Sequence, residues 1–211
     1  MRAYVNSIFI TTISVVCNVL FSALAAYAIG FFKFKGYKII IGIAMGTMFI
    51  TGELTYVPLF LMYSKMGMMN SYLVLIIPCI VMFPGLGILL SRTYFDSISK
   101  NIFECAVIDG ANTLRIFWHI VLPLLKPMLA LVAVMAFQSA WSEFFWPMIT
   151  VMGNTSVQTL PLKVLEFDSS DATLFGEYCA ALNLMSLPII IVYMFLSKYF
   201  LEGMTAGAVK E

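Results

Sequence analysis

Five apolar runs, each near or above 20 residues, dominate this sequence: 8–32, 39–63, 71–90, 128–150 and 179–200. A helix of about 20 apolar residues matches the hydrocarbon thickness of a bilayer. A soluble fold has no way to cover them. The chain has 211 residues, of which 62% are hydrophobic and only 11% charged, far too little polar surface to enclose such a core. The expected fold class is therefore an all-α polytopic membrane protein with about five transmembrane helices. Residues 1–211 read as a single transmembrane domain. The first run is too long for the apolar region of a signal peptide, and no small-residue cleavage site follows it.

Composition also narrows the chemistry. A net charge of +1 gives no reason to expect a nucleic-acid partner. Cys17, Cys79, Cys105 and Cys179 are scattered without metal-ligand spacing, and His119 is the single histidine. They read as small hydrophobes rather than a disulfide or metal site. The sequence has no nucleotide-binding loop, so no cofactor is expected in this chain.

Lysines and arginines set the orientation. One set of inter-span segments carries Lys33, Lys35, Lys38, Arg92, Lys100, Arg115, Lys126, Lys198 and Lys210. The other carries Arg2, Lys65 and Lys163, with acidic Glu166, Asp168, Asp171 and Glu177 in the long segment 151–178. The first set is expected in the cytoplasm. That places segment 94–123 and the C-terminus inside, and the N-terminus of this chain outside. Pro58, Pro78, Pro84, Gly85, Gly87 and Pro188 interrupt the apolar runs. Such breaks survive in a membrane where neighbouring helices or a water-filled path satisfy the freed backbone, although ordinary kinking accounts for any one of them.

Two acids fall within runs. Glu53 lies in the middle of the second, and Glu143 near the outer end of the fourth. A carboxylate in hydrocarbon is costly, so each should face the bundle interior, a cavity or the interface. Either lines a permeation path or makes an interhelical hydrogen bond. Trp141, Phe144, Phe145 and Trp146 flank Glu143. Rings beside a carboxylate suit stacking on sugars, but an interfacial aromatic belt is the commoner use. Glu53, Tyr56, Phe137, Trp141 and Glu143 are the candidates for a substrate path.

The polar island at 104–127, ECAVIDGANTLRIFWHIVLPLLKP, needs a separate account. Residues 99–109 have helical spacing, with Ile102, Phe103, Ala106 and Val107 on an apolar face. Gly110 permits a bend. Asn112 suits the N-cap of a second short helix over 113–121, and Pro123 ends it or opens the next span. Small Cys105, Ala106 and Ala111 would allow close approach of another protein, with Glu104 as an anchor. Sparse basic charge argues against a helix pair lying on lipid headgroups. A docking surface on a chain without its own energy source suits one driven by a partner.

The island resembles the cytoplasmic "EAA" loop of ABC-importer permeases, E-A-A-x-x-D-G-A followed by I-x-L-P. The match falls on Glu104, Ala106, Asp109, Gly110, Ala111, Ile120, Leu122 and Pro123. VPLFLMYSKMGMMNSYLVLI and WSEFFWPMI are similar to two further family stretches. The tail GMTAGAVKE resembles that of the carbohydrate branch, in particular the maltose-type inner-membrane permease. The resemblance implies a membrane subunit of a sugar importer in the cytoplasmic membrane. Its partners would be membrane lipid, a second homologous permease, an extracytoplasmic sugar-binding protein and a cytoplasmic ATPase dimer that binds ATP and magnesium. Glu104, Cys105, Ala106, Asp109, Gly110, Ala111 and Pro123 would form the ATPase-coupling loop. Cys105 stands in for the middle alanine, Ser99 for a frequent proline, and Ser142 for the usual asparagine beside Glu143. Family members begin with one more span before Asn6, so an N-terminal truncation is expected. Two other classes remain. A secondary transporter coupled to ions through Glu53 would show internal repeats, and none is evident. An intramembrane enzyme would need a convergent set of catalytic groups.

Overall fold

The computed structural model describes residues 2–32, 34–50, 52–81, 84–151, 153–154, 156–165 and 175–208, and every regular element among them is helical. Lys33, Glu166, Asp168, Asp171 and Lys210, used above in the charge balance, lie outside the described residues, as do the last three residues of the tail.

α1 runs over Arg2–Phe32 without a proline. Its 31 residues extend about 46 Å, longer than the hydrocarbon core. α12, Phe175–Ala208, contains Pro188. Both are long and apolar enough to cross a membrane, and three bent helix pairs bring the number of candidate spans up to five.

Those pairs are where the structure departs from unbroken runs. The run 39–63 divides into α2, Tyr37–Thr47, and α3, Gly52–Lys65. The end of α2 tightens through bonds from the Met48 and Phe49 amides to Met45 and Gly46 (both 3.1 Å). Thr47 Oγ1 also donates to its own helix at Ala44 O, 2.8 Å away, a local competitor of the helical ladder. The run 71–90 divides into α4, Tyr72–Val81, and α5, Pro84–Ser97. Proline lacks the amide that would continue α4, but is tolerated at a helix start. Arg92, assigned to a loop from the sequence, therefore lies within α5, where it is buried and ion-paired with Asp96 one turn on. α6 spans Lys100–Ile108, α7 Thr113–Ile116 and α8 Leu122–Leu124. α9 is Lys126–Ser142, α10 Phe145–Thr150 and α11 Leu160–Leu165.

The chain forms two compact units. The first comprises Met1–Cys17, Ile50–Phe83 and Met135–Phe195. Its core gathers Ile10, Tyr56, Tyr63, Leu75, Trp146 and Leu162. The second comprises Asn18–Phe49, Pro84–Val134 and Leu196–Glu211. Its core gathers Tyr27, Phe95, Phe103, Phe117, Val121 and Leu125. Along α1 runs a stripe that sequence reading passed over: Ser7, Thr11, Ser14, Asn18 and Ser22 are all buried. Their spacing of three and four puts them on one helix face. Small polar residues at that spacing let helices pack closely in lipid.

Candidate functional site

In the first unit, two tryptophans donate to backbone carbonyls of proline-containing helices. Pro78 sits inside α4 and has no amide, so the Val74 carbonyl four residues back loses its helical donor. The indole of Trp146 donates to Val74 O at 2.7 Å. Pro188 similarly disturbs the carbonyls one turn back in α12. The Trp141 indole donates to Met185 O at 3.0 Å. Each indole is 1% exposed. Trp141 also stacks on Phe137 (centroids 5.5 Å, interplanar angle 12°) and meets Tyr4 edge-on. The two tryptophans thus belong to the packed interior rather than to an interfacial belt. A Trp–Pro pairing was the one signal that would have found this, but it joins residues 68 and 47 positions apart with no local pattern.

Glu143 occupies the break between α9 and α10. Its Oε1 accepts from the Trp146 amide at 3.0 Å and its Oε2 from the Tyr56 hydroxyl at 3.1 Å. The first bond satisfies an orphan amide at the start of α10, as a capping side chain does. The second ties α3 to that break. Tyr56 stacks on Phe145 (5.5 Å, 22°) and packs against Trp146. Glu53 is not in mid-helix as the run suggested. It lies in the first turn of α3, where an acid meets the positive end of the helix dipole. Glu53, Tyr56 and Glu143 line one cavity of about 820 Å³, together with the exposed rings of Phe144 and Phe145. Phe137 and Trp141 are not among its lining residues. The same unit is closed by a polar clasp. Asn6 Nδ2 donates to Ser156 O and Gln158 O (both 3.0 Å), Tyr72 donates to Asn6 Oδ1 (2.9 Å), and the Leu160 amide donates to Ser7 Oγ (2.7 Å).

The second unit holds the island. α6 ends at Asp109, and Gly110 turns the chain with φ +75°. The Ala111 amide returns to Ala106 O at 3.0 Å, the bond that closes such a helix end. Asn112 is the N-cap of α7, accepting from the Arg115 amide at 2.8 Å. Residues Phe117–Val121 then widen into a π-turn, with the Leu122 amide bonded five residues back to Phe117 O. Pro123 follows, and the wider turn relieves its ring's clash with the carbonyl four residues earlier.

The island's apolar face divides. Phe103 and Ala106 turn inward and are buried. Ala106 is thus small to fit this chain's own core, not to admit a partner. Phe103 stacks on Phe95 (5.1 Å, 10°), Tyr27 packs on Phe117, and the Tyr27 hydroxyl donates to Thr113 O at 3.1 Å. Gly30 makes room: a Cβ there would lie 2.3 Å from the Phe95 ring. Ala111 is partly buried against the same cluster. Outward, Ile108 is 84% and Leu114 68% exposed, beside exposed Val107 and Trp118. Glu104, Cys105, Asp109, Gly110 and Pro123 are exposed as well. Exposed large apolar residues among charged ones mark a candidate interaction surface.

Comparison with known proteins gives this geometry a context. The family described as "Binding-protein-dependent transport system inner membrane component" matches residues 7–206. The chain is 32% identical over 207 residues to the "Probable ABC transporter permease protein YurM" of Bacillus subtilis, covering 98% of this chain and 69% of that protein. It is 30% identical to the "Arabinooligosaccharides transport system permease protein AraQ" of Halalkalibacterium halodurans, covering 97% and 72%. A solved bacterial ABC transporter involved in the import of the acidic polysaccharide alginate superposes with a TM-score of 0.76 at 28% identity, over 94% of this chain and 74% of its own.

Proposed function

The chain belongs to the family of binding-protein-dependent transport system inner membrane components, and on that premise we propose that it carries a sugar or oligosaccharide across the cytoplasmic membrane as one half of an ATP-driven importer. It is a translocation subunit, not an enzyme. A second permease completes the path, an extracytoplasmic binding protein delivers the saccharide, and a separate ATPase dimer binds ATP and magnesium. The coupling loop and C-terminus face the cytoplasm, and the N-terminus of this chain the outer side, following the lysine and arginine asymmetry.

The observation that carries the reading is the outward patch of Ile108, Leu114 and Trp118 on helices fixed from behind by Phe103 and Phe117. A lever that transmits the closure of an ATPase dimer must be apolar where it docks and rigid where it joins the membrane helices. Glu104, Cys105, Asp109, Gly110 and Ala111 form its tip, and Pro123 returns the chain to the next span. The cavity of Glu53, Tyr56 and Glu143 lies on the substrate path, where rings and carboxylates suit sugar faces and hydroxyls. Reconstitution in proteoliposomes with its ATPase, second permease and binding protein tests the reading. Saccharide uptake should require ATP and survive collapse of ion gradients. Uptake that follows a proton or sodium gradient without ATP would instead make this a secondary transporter.

A further inference from the structure

The saccharides named for similar proteins include neutral and acidic ones, so kinship leaves the charge of the cargo open. The cavity does not. Two of its lining residues, Glu53 and Glu143, are carboxylates, and none is a lysine, arginine or histidine. The two acids differ in their engagement. Both oxygens of Glu143 are occupied, by the Trp146 amide and the Tyr56 hydroxyl. Its work is to hold the α9–α10 break and the Tyr56 ring in place. Glu53 is exposed at the first turn of α3 and presents its charge to the cavity. Around it stand Phe60, Phe144 and Phe145, surfaces that stack on the apolar faces of pyranose and furanose rings but offer no counter-charge.

We propose that this cavity is a charge filter that accepts neutral glycosides and rejects uronates, with Glu53 as the specificity-determining residue. The proposal rests on the cavity being part of the substrate path. A uronate entering it would bring its carboxylate close to Glu53, with no cation among the described lining residues to offset the repulsion. Rejection of the wrong ligand by like charge is a general route to specificity. A neutral sugar meets carboxylates, the Ser142 hydroxyl, aliphatic side chains and ring faces there.

The test is equilibrium binding to the assembled importer in detergent, without the binding protein, which would impose its own selection. The probes are radiolabelled neutral trisaccharides (arabinotriose, raffinose, galactotriose) and trigalacturonate. At least one neutral probe should bind ten or more times more tightly than trigalacturonate. Glu53→Gln should raise the ratio of trigalacturonate to neutral binding at least tenfold. Val57→Trp, at an exposed lining position, should weaken neutral binding at least tenfold by adding a bulky ring to the cavity wall. If Val57→Trp weakens binding but Glu53→Gln leaves the ratio unchanged, the filter is wrong while the path stands. If Val57→Trp has no effect, or no probe binds, the cavity is not on the path and both readings fall.

Discussion

The two units of this chain are held together by different means. In the first, side chains reach across long sequence distances to backbone groups: Trp146 to Val74 O, Trp141 to Met185 O, Asn6 to Ser156 O and Gln158 O. In the second, rings stack on rings, with Phe95 on Phe103 and Tyr27 on Phe117, and Gly30 lets Phe95 approach. Prolines in the interior of a helix fall in the first unit, whereas Pro84 and Pro123 of the second sit at helix starts. Pro58, Pro78, Pro147 and Pro188 all lie in the first unit. Pro58, Pro78 and Pro188 each remove an amide from a helix that runs on past them, and within lipid each freed carbonyl needs a protein donor. That requirement builds irregular backbone around a cavity. The second unit supports an exposed apolar patch chiefly by ring packing, with the Tyr27 hydroxyl also bonded to Thr113 O.

The largest effect that would break this comparison is at Trp146. Trp146→Ala should destabilise the chain by about 3–5 kcal/mol, the usual cost of emptying a large buried site, read as thermal unfolding in detergent. Trp146→Phe keeps much of the volume but strands Val74 O, and should still cost about 1–3 kcal/mol. A Phe variant as stable as the parent would mean that the indole's hydrogen bond is incidental.

Gly110→Val comes next. A β-branched residue at φ +75° costs roughly 1–3 kcal/mol. The strain is confined to the bend between α6 and α7, so insertion should persist while stimulation of the partner ATPase falls. Unchanged ATPase stimulation and transport would remove the role assigned to the bend. Phe103→Leu then isolates the ring stack from simple burial. It should lower stability by about 0.5–1.5 kcal/mol, and a conservative swap that costs nothing would show that packing in the second unit is not aromatic in character. The smallest expected effect is Asn112→Ala, about 1 kcal/mol or less at this exposed cap, visible as faster amide exchange at Arg115.

Much of the second unit was legible in sequence. Asn112 and Gly110 act within three residues of themselves, so capping and bend chemistry reveal them. The π-turn ahead of Pro123 was not read, because the proline's needs fall on the preceding turn. The division of the apolar face into inward Phe103 and Ala106 and outward Ile108 also needed the fold. In the first unit, the acids were visible as anomalies in apolar runs, but their partners were not. Glu143 pairs with Tyr56, 87 positions away, and no local period marks that. Trp141 and Phe137, named with Glu53, Tyr56 and Glu143 as candidates for a substrate path, stack on each other. The break that puts Glu53 at a helix start has at Thr47 only a local hydrogen bond to Ala44 O, a signal that is weak in isolation.

The measurement that tests the account most directly is ATP hydrolysis and saccharide uptake in the same proteoliposomes, for the parent and for Ile108→Asp. Ile108 is 84% exposed, so the variant should fold, insert and keep its cavity. The account predicts loss of both stimulated hydrolysis and uptake, with the ATPase subunit no longer co-purifying. Retention of the ATPase and of transport at parental levels would contradict the claim that this patch is where the chain is driven.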